Sequence, residues 1–311
     1  MDTRRTSEHP VVSRLRPVEE SEIGAAARLR PDHVRAAAGL VRDGLIYDLT
    51  VDRFRGMPMP LMHPPFEVLG YRTPHGLDND PGETWLKGPA NREHMGFNTE
   101  LVITCTHTGS HVDTLSHVTV GDDSHWYGGF TAANDLGDFG PQRADASTLL
   151  PIFTRGVMLD LPRAFGTAAL AARAPIGAAD LRRAAALEDV SLRAGDVALI
   201  RTGYLGHWPD PAALDAHRGA GITLEAAHWL VDQGVIAVGA DTEAVEQMPT
   251  TDAANPQPVH SYLLIDQGVL LLEMLYLEGL AADSVHSFLF VAQPTKIQGA
   301  SGAFIDPIAV V

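Results

Sequence analysis

From residue 98 onward, unbroken apolar runs alternate with amphipathic stretches. The runs GVMLDL (156–161), DVALIR (196–201), VIAVGA (235–240), residues 269–274 and SFLFVAQ (287–293), together with 99–106, are rich in Val, Leu, Ile and Phe and predict strands. Helices are predicted near 177–188, over 223–233 and over 258–267. In TLEAAHWLVDQ, Thr223 is placed to cap the first turn and Gly234 to stop the last. Upstream, LIYDLTV (45–51) predicts one more strand. SEIGAAARLRPDHVRAAAGLVRDG predicts one or two short surface helices, broken at Pro31 and ended by Gly44. Alternation of strand and helix predicts an α/β layer architecture. One domain over 45–311 is expected, preceded by a helical extension over 1–44.

Between 56 and 97 the periodicity disappears. The stretch PMPLMHPPFEVLGYRTPHGLDNDPGETWLKGPANREH is rich in Pro, Gly and polar residues. A loop that long in a compact domain is usually functional or disordered. Its prolines limit the freedom of the unfolded chain and favour an ordered, non-helical path. Phe66, Tyr71 and Trp85 within it favour a flap over a site or a subunit contact.

Composition narrows the class. Lys+Arg number 23 against 39 Asp+Glu, a formal charge of −16, which disfavours nucleic acid and anionic membranes as partners. Cys105 is the single cysteine, so neither an intrachain disulfide nor a thiolate zinc cluster can form. No apolar run reaches the roughly 20 residues that span a bilayer, and MDTRRTSEHPVVSRLRP lacks the apolar centre of a secretory signal. A cytoplasmic protein is expected.

The chemistry concentrates in HTGSHVDTLSH, residues 107–117. His107 and His111 have the i, i+4 spacing of helical zinc sites, but the Thr, Val and Gly content disfavours helix, and no HExxH glutamate is present. In an extended segment the odd positions His107, His111, Asp113 and His117 share a face. His107 and His111 would stand about 13 Å apart in a straight strand, too far to share an ion. The chain must therefore bend between them, and Gly109 is where a bend costs least. Imidazole and carboxylate ligands suit Zn²⁺ or Mn²⁺, and three protein ligands leave positions open for water and substrate.

The segment resembles the HxGTHxDxPxH signature of the cyclase family of metal-dependent hydrolases, which includes kynurenine formamidases, isatin hydrolases and trans-dienelactone hydrolase. IYDLTVDRFRGMPMP, TRGVMLDLP, RAGDVALIRTGY, GVIAVGADTEAVE and PVHSYLLIDQGVLLLEMLYLEGL look like the family's successive core segments, so the resemblance covers roughly 45–311. It implies a swivelling β/β/α-type domain and a divalent metal, Zn or Mn. It also implies His107, His111 and Asp113 as ligands, with His117 as the catalytic acid/base. His260 and Glu273 match the later His and Glu, which complete a second metal position or support the first. Ser110 stands where the signature has Thr and keeps the hydroxyl. Leu115 stands where it has Pro, as in a longer-chain branch, so no particular substrate is implied.

The residues themselves add weight to part of this set. A carboxylate inside VLLLEML would be expensive to bury unpaired, and a metal or a histidinium is its natural partner. Asp241, ending the strand VIAVGAD, is expected to support the site from behind the ligands. Trp85, Trp126 and Phe66 are candidate walls for a flat substrate. The expected activity is metal-dependent hydrolysis of a small, cyclic or aryl, amide or lactone in a homodimer or homotetramer. A metal-dependent lyase or cyclase, or a non-catalytic metal-binding relative, is the alternative.

Overall fold

A computed structural model of the chain describes residues 9–11, 18–60, 62–79, 82, 86, 87, 89 and 91–311, and gathers the apolar runs into one mixed sheet. Its nine strands are β1 (Ile46–Asp48), β2 (His111–Asp113), β3 (Ile152–Asp160), β4 (Val197–Arg201), β5 (Ala237–Ala240), β6 (Leu270–Glu273), β7 (Ser287–Ala292), β8 (Gly302–Phe304) and β9 (Ile308–Val310). They lie in the order β1-β9-β7-β3-β4-β5-β6-β2-β8. The neighbours β3, β4, β5 and β6 run parallel, and antiparallel strands close the sheet on both sides. Every residue of β4, β5 and β6 is buried, which is why these strands read as continuous apolar runs rather than alternating ones.

The helices follow local signals. Helix α1 (Pro31–Ala38) packs against β3 and β7 and so lies on the sheet. Ala25 and Leu29, just before it, belong to the main core. Helix α2 (Ala178–Leu187) packs on α3 (Leu224–Asp232), where the Thr223 hydroxyl accepts from the Ala226 N–H and Gly234 adopts φ 81° beyond the end. The predicted helix over 258–267 forms as one α-turn, Pro258–His260, that continues as a π-helix, Ser261–Asp266. The fold is mixed α/β, as the swivelling β/β/α expectation requires. Among the described residues no helix is long and apolar enough to cross a membrane.

Two readings of the pattern change. Residues 99–106 give a strand only over Thr99–Ile103, and it stays outside the main sheet. It pairs with Glu67–Arg72, inside the stretch expected to lack regular structure, and a short helix, Pro74–Asn79, follows. The strand was visible in the β-branched content, but its partner lay in a segment masked by Pro and Gly. Leu69, Tyr71, Leu101, Val102 and Ile103 on this hairpin are exposed.

Close packing at the sheet centre explains one glycine in a strand. Gly156 of β3 is paired with Phe288 of β7, and a Cβ at 156 would come within 2.3 Å of the phenyl ring. Gly156→Ala is therefore expected to lower the melting temperature, because overpacking a filled core costs about 1–3 kcal/mol. A wild-type melting temperature would show that Phe288 can rotate aside.

Candidate metal centre

Strand β2 lies antiparallel to β6 with Glu273 opposite His111 and Leu271 opposite Asp113. This register sets His111, Asp113 and Glu273 together on one face at the C-terminal end of β6. Before β2 the chain turns at Gly109, whose φ of 62° is open to glycine and strained for other residues. The turn brings His107 back, so that its ring centroid lies 5.2 Å from that of His111. After β2 a second turn, closed by the His117 N–H donating to the Thr114 carbonyl at 3.1 Å, brings His117 to 4.1 Å from His107, centroid to centroid. The first turn of the 258–266 helical segment delivers His260. All six residues that the resemblance implied therefore meet, five of them lining a cavity of about 930 Å³ and Asp113 buried among them.

Hydrogen bonds aim the rings. His111 Nδ1–H donates to the Gly109 carbonyl at 2.7 Å, which leaves Nε2 facing Glu273 at 3.2 Å and Asp113 at 3.6 Å. His260 Nδ1–H donates to Glu246, leaving its Nε2 3.4 Å from Glu273 and 3.7 Å from Asp113. His107 Nδ1–H donates to Asp113 Oδ1 at 2.7 Å, and its Nε2 meets the Ser301 hydroxyl at 3.2 Å. Tying one imidazole nitrogen to a carbonyl or carboxylate is how proteins orient a metal-binding histidine.

The donor set fits a divalent ion. Candidate ligand atoms of His111, Asp113 and Glu273 lie within 4.8 Å of one another, as do those of His107, Asp113 and His117. Asp113 belongs to both groups. Asp113 Oδ2 and Glu273 Oε1 are buried and accept no hydrogen bond among the described residues, a costly state that an ion would relieve. The set is nitrogen and oxygen only. Cys105 takes no part, its sulfur lying 3.3 Å from the Thr108 hydroxyl.

Proton affinities carry the same imprint. Burial pushes Asp113 up, but His117, His107 and His111 outweigh it and hold the carboxyl well below the usual carboxylate range. Burial and Asp113 push Glu273 up, yet His111 and His260 bring it below its ordinary value. Burial pulls His260 down, while Glu246, Glu273 and Asp113 lift it to about 10. His117 goes the other way: burial, helped by His107 and His260, takes it to about 4 against the pull of Asp113 and Glu273.

Other expected residues lie elsewhere. Trp126 is not a wall of the cavity; its ring is in the main core, 6.2 Å from Phe130. Phe66 is also buried and lines no part of it. The walls instead mix smaller apolar groups, including Met62, Val118, Ala220 and Met248, with charged ones such as Arg173, Arg218 and Glu243. Trp85 lies outside the described residues. Asp241 is buried behind the wall rather than behind the ligands. It accepts from the Thr202 N–H, the Thr202 hydroxyl and the Gly203 N–H, each at 2.8 Å, and so fixes the turn that leads into Tyr204. Burial, offset by Thr202, raises Asp241 to about 6.

Two residues of the site escaped the sequence. Glu246 sits in GVIAVGADTEAVE, but nothing in the spacing tied it to His260. Arg53 lies in the matching segment IYDLTVDRFRGMPMP. Its guanidinium donates to the carbonyls of Thr108 (3.0 Å), Ser110 and Ile305 (3.3 Å) and to Asp306 (3.0 Å), clamping the backbone on both sides of Gly109.

This arrangement is that of an α/β protein with a largely buried histidine–carboxylate cluster where the parallel strands of a mixed sheet end. The chain belongs to the cyclase family, whose model matches residues 47–247. No curated protein matches the chain. A crystal structure described as a novel cyclase is similar over 93% of this chain and 94% of that one, with a TM-score of 0.80 and 28% identity. Isatin hydrolase A from Labrenzia aggregata, bound to benzyl benzoate, shares the fold at a TM-score of 0.61 and 18% identity, over 88% of this chain and 94% of that one. A predicted metal-dependent hydrolase from Bacillus stearothermophilus does so at a TM-score of 0.52 and 18% identity, over 86% and 98%.

The Arg53 clamp generates a test. Arg53→Ala leaves the Thr108 carbonyl beside Gly109 without its donor, while the Ser110 carbonyl keeps the Ile305 N–H at 3.2 Å, a loss of about 1–3 kcal/mol where the orphaned carbonyl stays dry. It is expected to weaken divalent-metal affinity about 10–100-fold, the usual effect of removing a support behind a ligand. Metal titration of the variant checks this; wild-type affinity would mean the turn holds itself.

Proposed function

We propose that the protein is a metal-dependent hydrolase of a small, cyclic or aryl, amide or lactone, with Zn²⁺ or Mn²⁺ held by His107, His111, Asp113, His260 and Glu273. One observation carries the reading. Two imidazoles, His111 and His260, are tied back through Nδ1 and turn Nε2 toward the buried carboxylates of Asp113 and Glu273. Family membership supports it, and so do the fold relatives described as an isatin hydrolase and a metal-dependent hydrolase.

A divalent ion in such a site supplies Lewis-acid polarisation of a carbonyl and makes water a nucleophile near neutral pH. The protein supplies the rest. His117, kept neutral by burial, is placed to take a proton from the attacking water and return it to the leaving nitrogen or oxygen. Glu246 holds His260 in one ring orientation through the side chain, and also accepts from the His260 N–H at 3.0 Å. Val118, Ala220 and Met248 bring apolar surface up to the cluster, where a lower local dielectric strengthens each charge interaction.

Asp113→Ala is expected to reduce bound metal sharply, because it removes the one residue common to both ligand groups; metal analysis showing full stoichiometry would refute the assignment. His117→Asn is expected to keep the metal and lose about 10²–10⁴-fold in turnover, the usual share of a general acid/base. Loss of metal along with turnover would place His117 among the ligands instead. Turnover in ¹⁸O-labelled water separates hydrolysis from a lyase or cyclase reaction: label in the product carboxylate is expected, and its absence would reject hydrolysis.

A further inference from the structure

Glu243 shares a recess with His63, Gly109, His111 and Met274, so its carboxylate borders the same space as the histidine–carboxylate cluster. Two donors fix its plane. The Tyr204 hydroxyl donates to Oε1 at 2.9 Å, and Arg218 Nη1–H donates to Oε2 at 2.9 Å. Each donor is itself held: Tyr204 is buried on the turn tied by Asp241, and Arg218 pairs with Asp215 at 3.0 Å. A carboxylate has about four acceptor positions, and these two bonds fill half of them. The Glu243 side chain keeps 16% of its surface exposed, on the cavity. The result is a rigid acceptor beside the cluster with capacity to spare.

Burial raises Glu243 while the Arg218 guanidinium beside it favours the ionised carboxylate, which presents no hydrogen to a ligand. A substrate atom docked against Glu243 must therefore bring the hydrogen. Lactams and lactones have nearly the same shape, but a ring N–H donates where a ring oxygen turns lone pairs toward the carboxylate. A site built to pair with an N–H discriminates strongly against the analogue without it, because its own polar group is then left dry and unpaired. We propose that Glu243 is the specificity-determining residue of this cavity and selects a lactam or cyclic imide N–H over a lactone oxygen. The proposal rests on the hydrolase reading of the same site and decides between the bond types that the cluster alone leaves equal.

The test compares three matched ligands on the metal-loaded wild-type protein by calorimetry: oxindole, N-methyloxindole and benzofuran-2-one. Affinity, as Kd or KM, is the readout, since lactones are intrinsically more reactive than lactams and kcat would mix the two effects. Oxindole is expected to bind at least about tenfold tighter than the other two, a difference of about 1.4 kcal/mol. In Glu243→Gln the preference is expected to shrink to about threefold or less, or about 0.65 kcal/mol. Equal affinities, a preference for the lactone, no binding of oxindole, or a full preference surviving in Glu243→Gln would each overturn the proposal. The wild-type comparison stands if that variant fails to fold. Tyr204→Phe then gives a milder variant, expected to reduce the oxindole preference by loosening Glu243. Binding preference without turnover would defeat the hydrolase reading and leave the N–H selection standing.

Discussion

Two carboxylates, Asp113 and Glu273, are set side by side and buried by strand register. An unpaired ion in such a place is costly, and a pair of like charges more so. The surrounding structure is arranged around that cost. His111 and His260 face both acids, His107 and His117 approach Asp113, and each tied-back ring has its own anchor in Gly109 or Glu246. The bend at Gly109 is needed because a straight strand would carry His107 away from the cluster. Arg53 is needed because a bend that tight exposes carbonyls to a dry interior. A divalent ion would suit the pair, since Asp113 Oδ2 and Glu273 Oε1 accept no hydrogen bond among the described residues.

The readable part of this fold is the part governed by short-range physics. Strands β3 to β7 were visible because burial on both faces gives uninterrupted apolar runs. Helix α3 was visible because Thr223 and Gly234 mark its ends. The bend at Gly109 followed from arithmetic on strand rise and ligand reach. What stayed hidden depends on partners distant in sequence. Residues 99–103 read as a strand, yet nothing local said that they would pair with 67–72 instead of joining the main sheet. The Arg53 clamp links positions 53, 108, 110 and 305, and no periodicity records such a link. Trp126 and Phe66 were placed on the cavity by the general affinity of aromatics for flat ligands. Core packing claimed both instead, since a large apolar side chain gains most where all its surface is covered.

The parallel strands divide the labour at their C-terminal ends. β3 ends in Asp160, β4 in Arg201 and β6 in Glu273, and Asp241 follows β5 directly. Arg201 bonds Asp160 at 2.7 Å and Glu278 at 2.7 and 3.0 Å, a buried pairing with no orphaned partner in the set. Asp241 spends its carboxylate on the Thr202–Gly203 turn. Among the described residues, only Glu273 of these four charged groups keeps a buried oxygen without a hydrogen bond. The same edge of one sheet therefore holds carboxylates bonded by fixed protein groups and one, Glu273, that faces only the histidines of the cluster and keeps Oε1 without a hydrogen bond among the described residues. That contrast separates a structural ion pair from a binding site more sharply than burial does, because Asp160, Asp241 and Glu273 are all buried and only the last faces the cavity with its demand unmet.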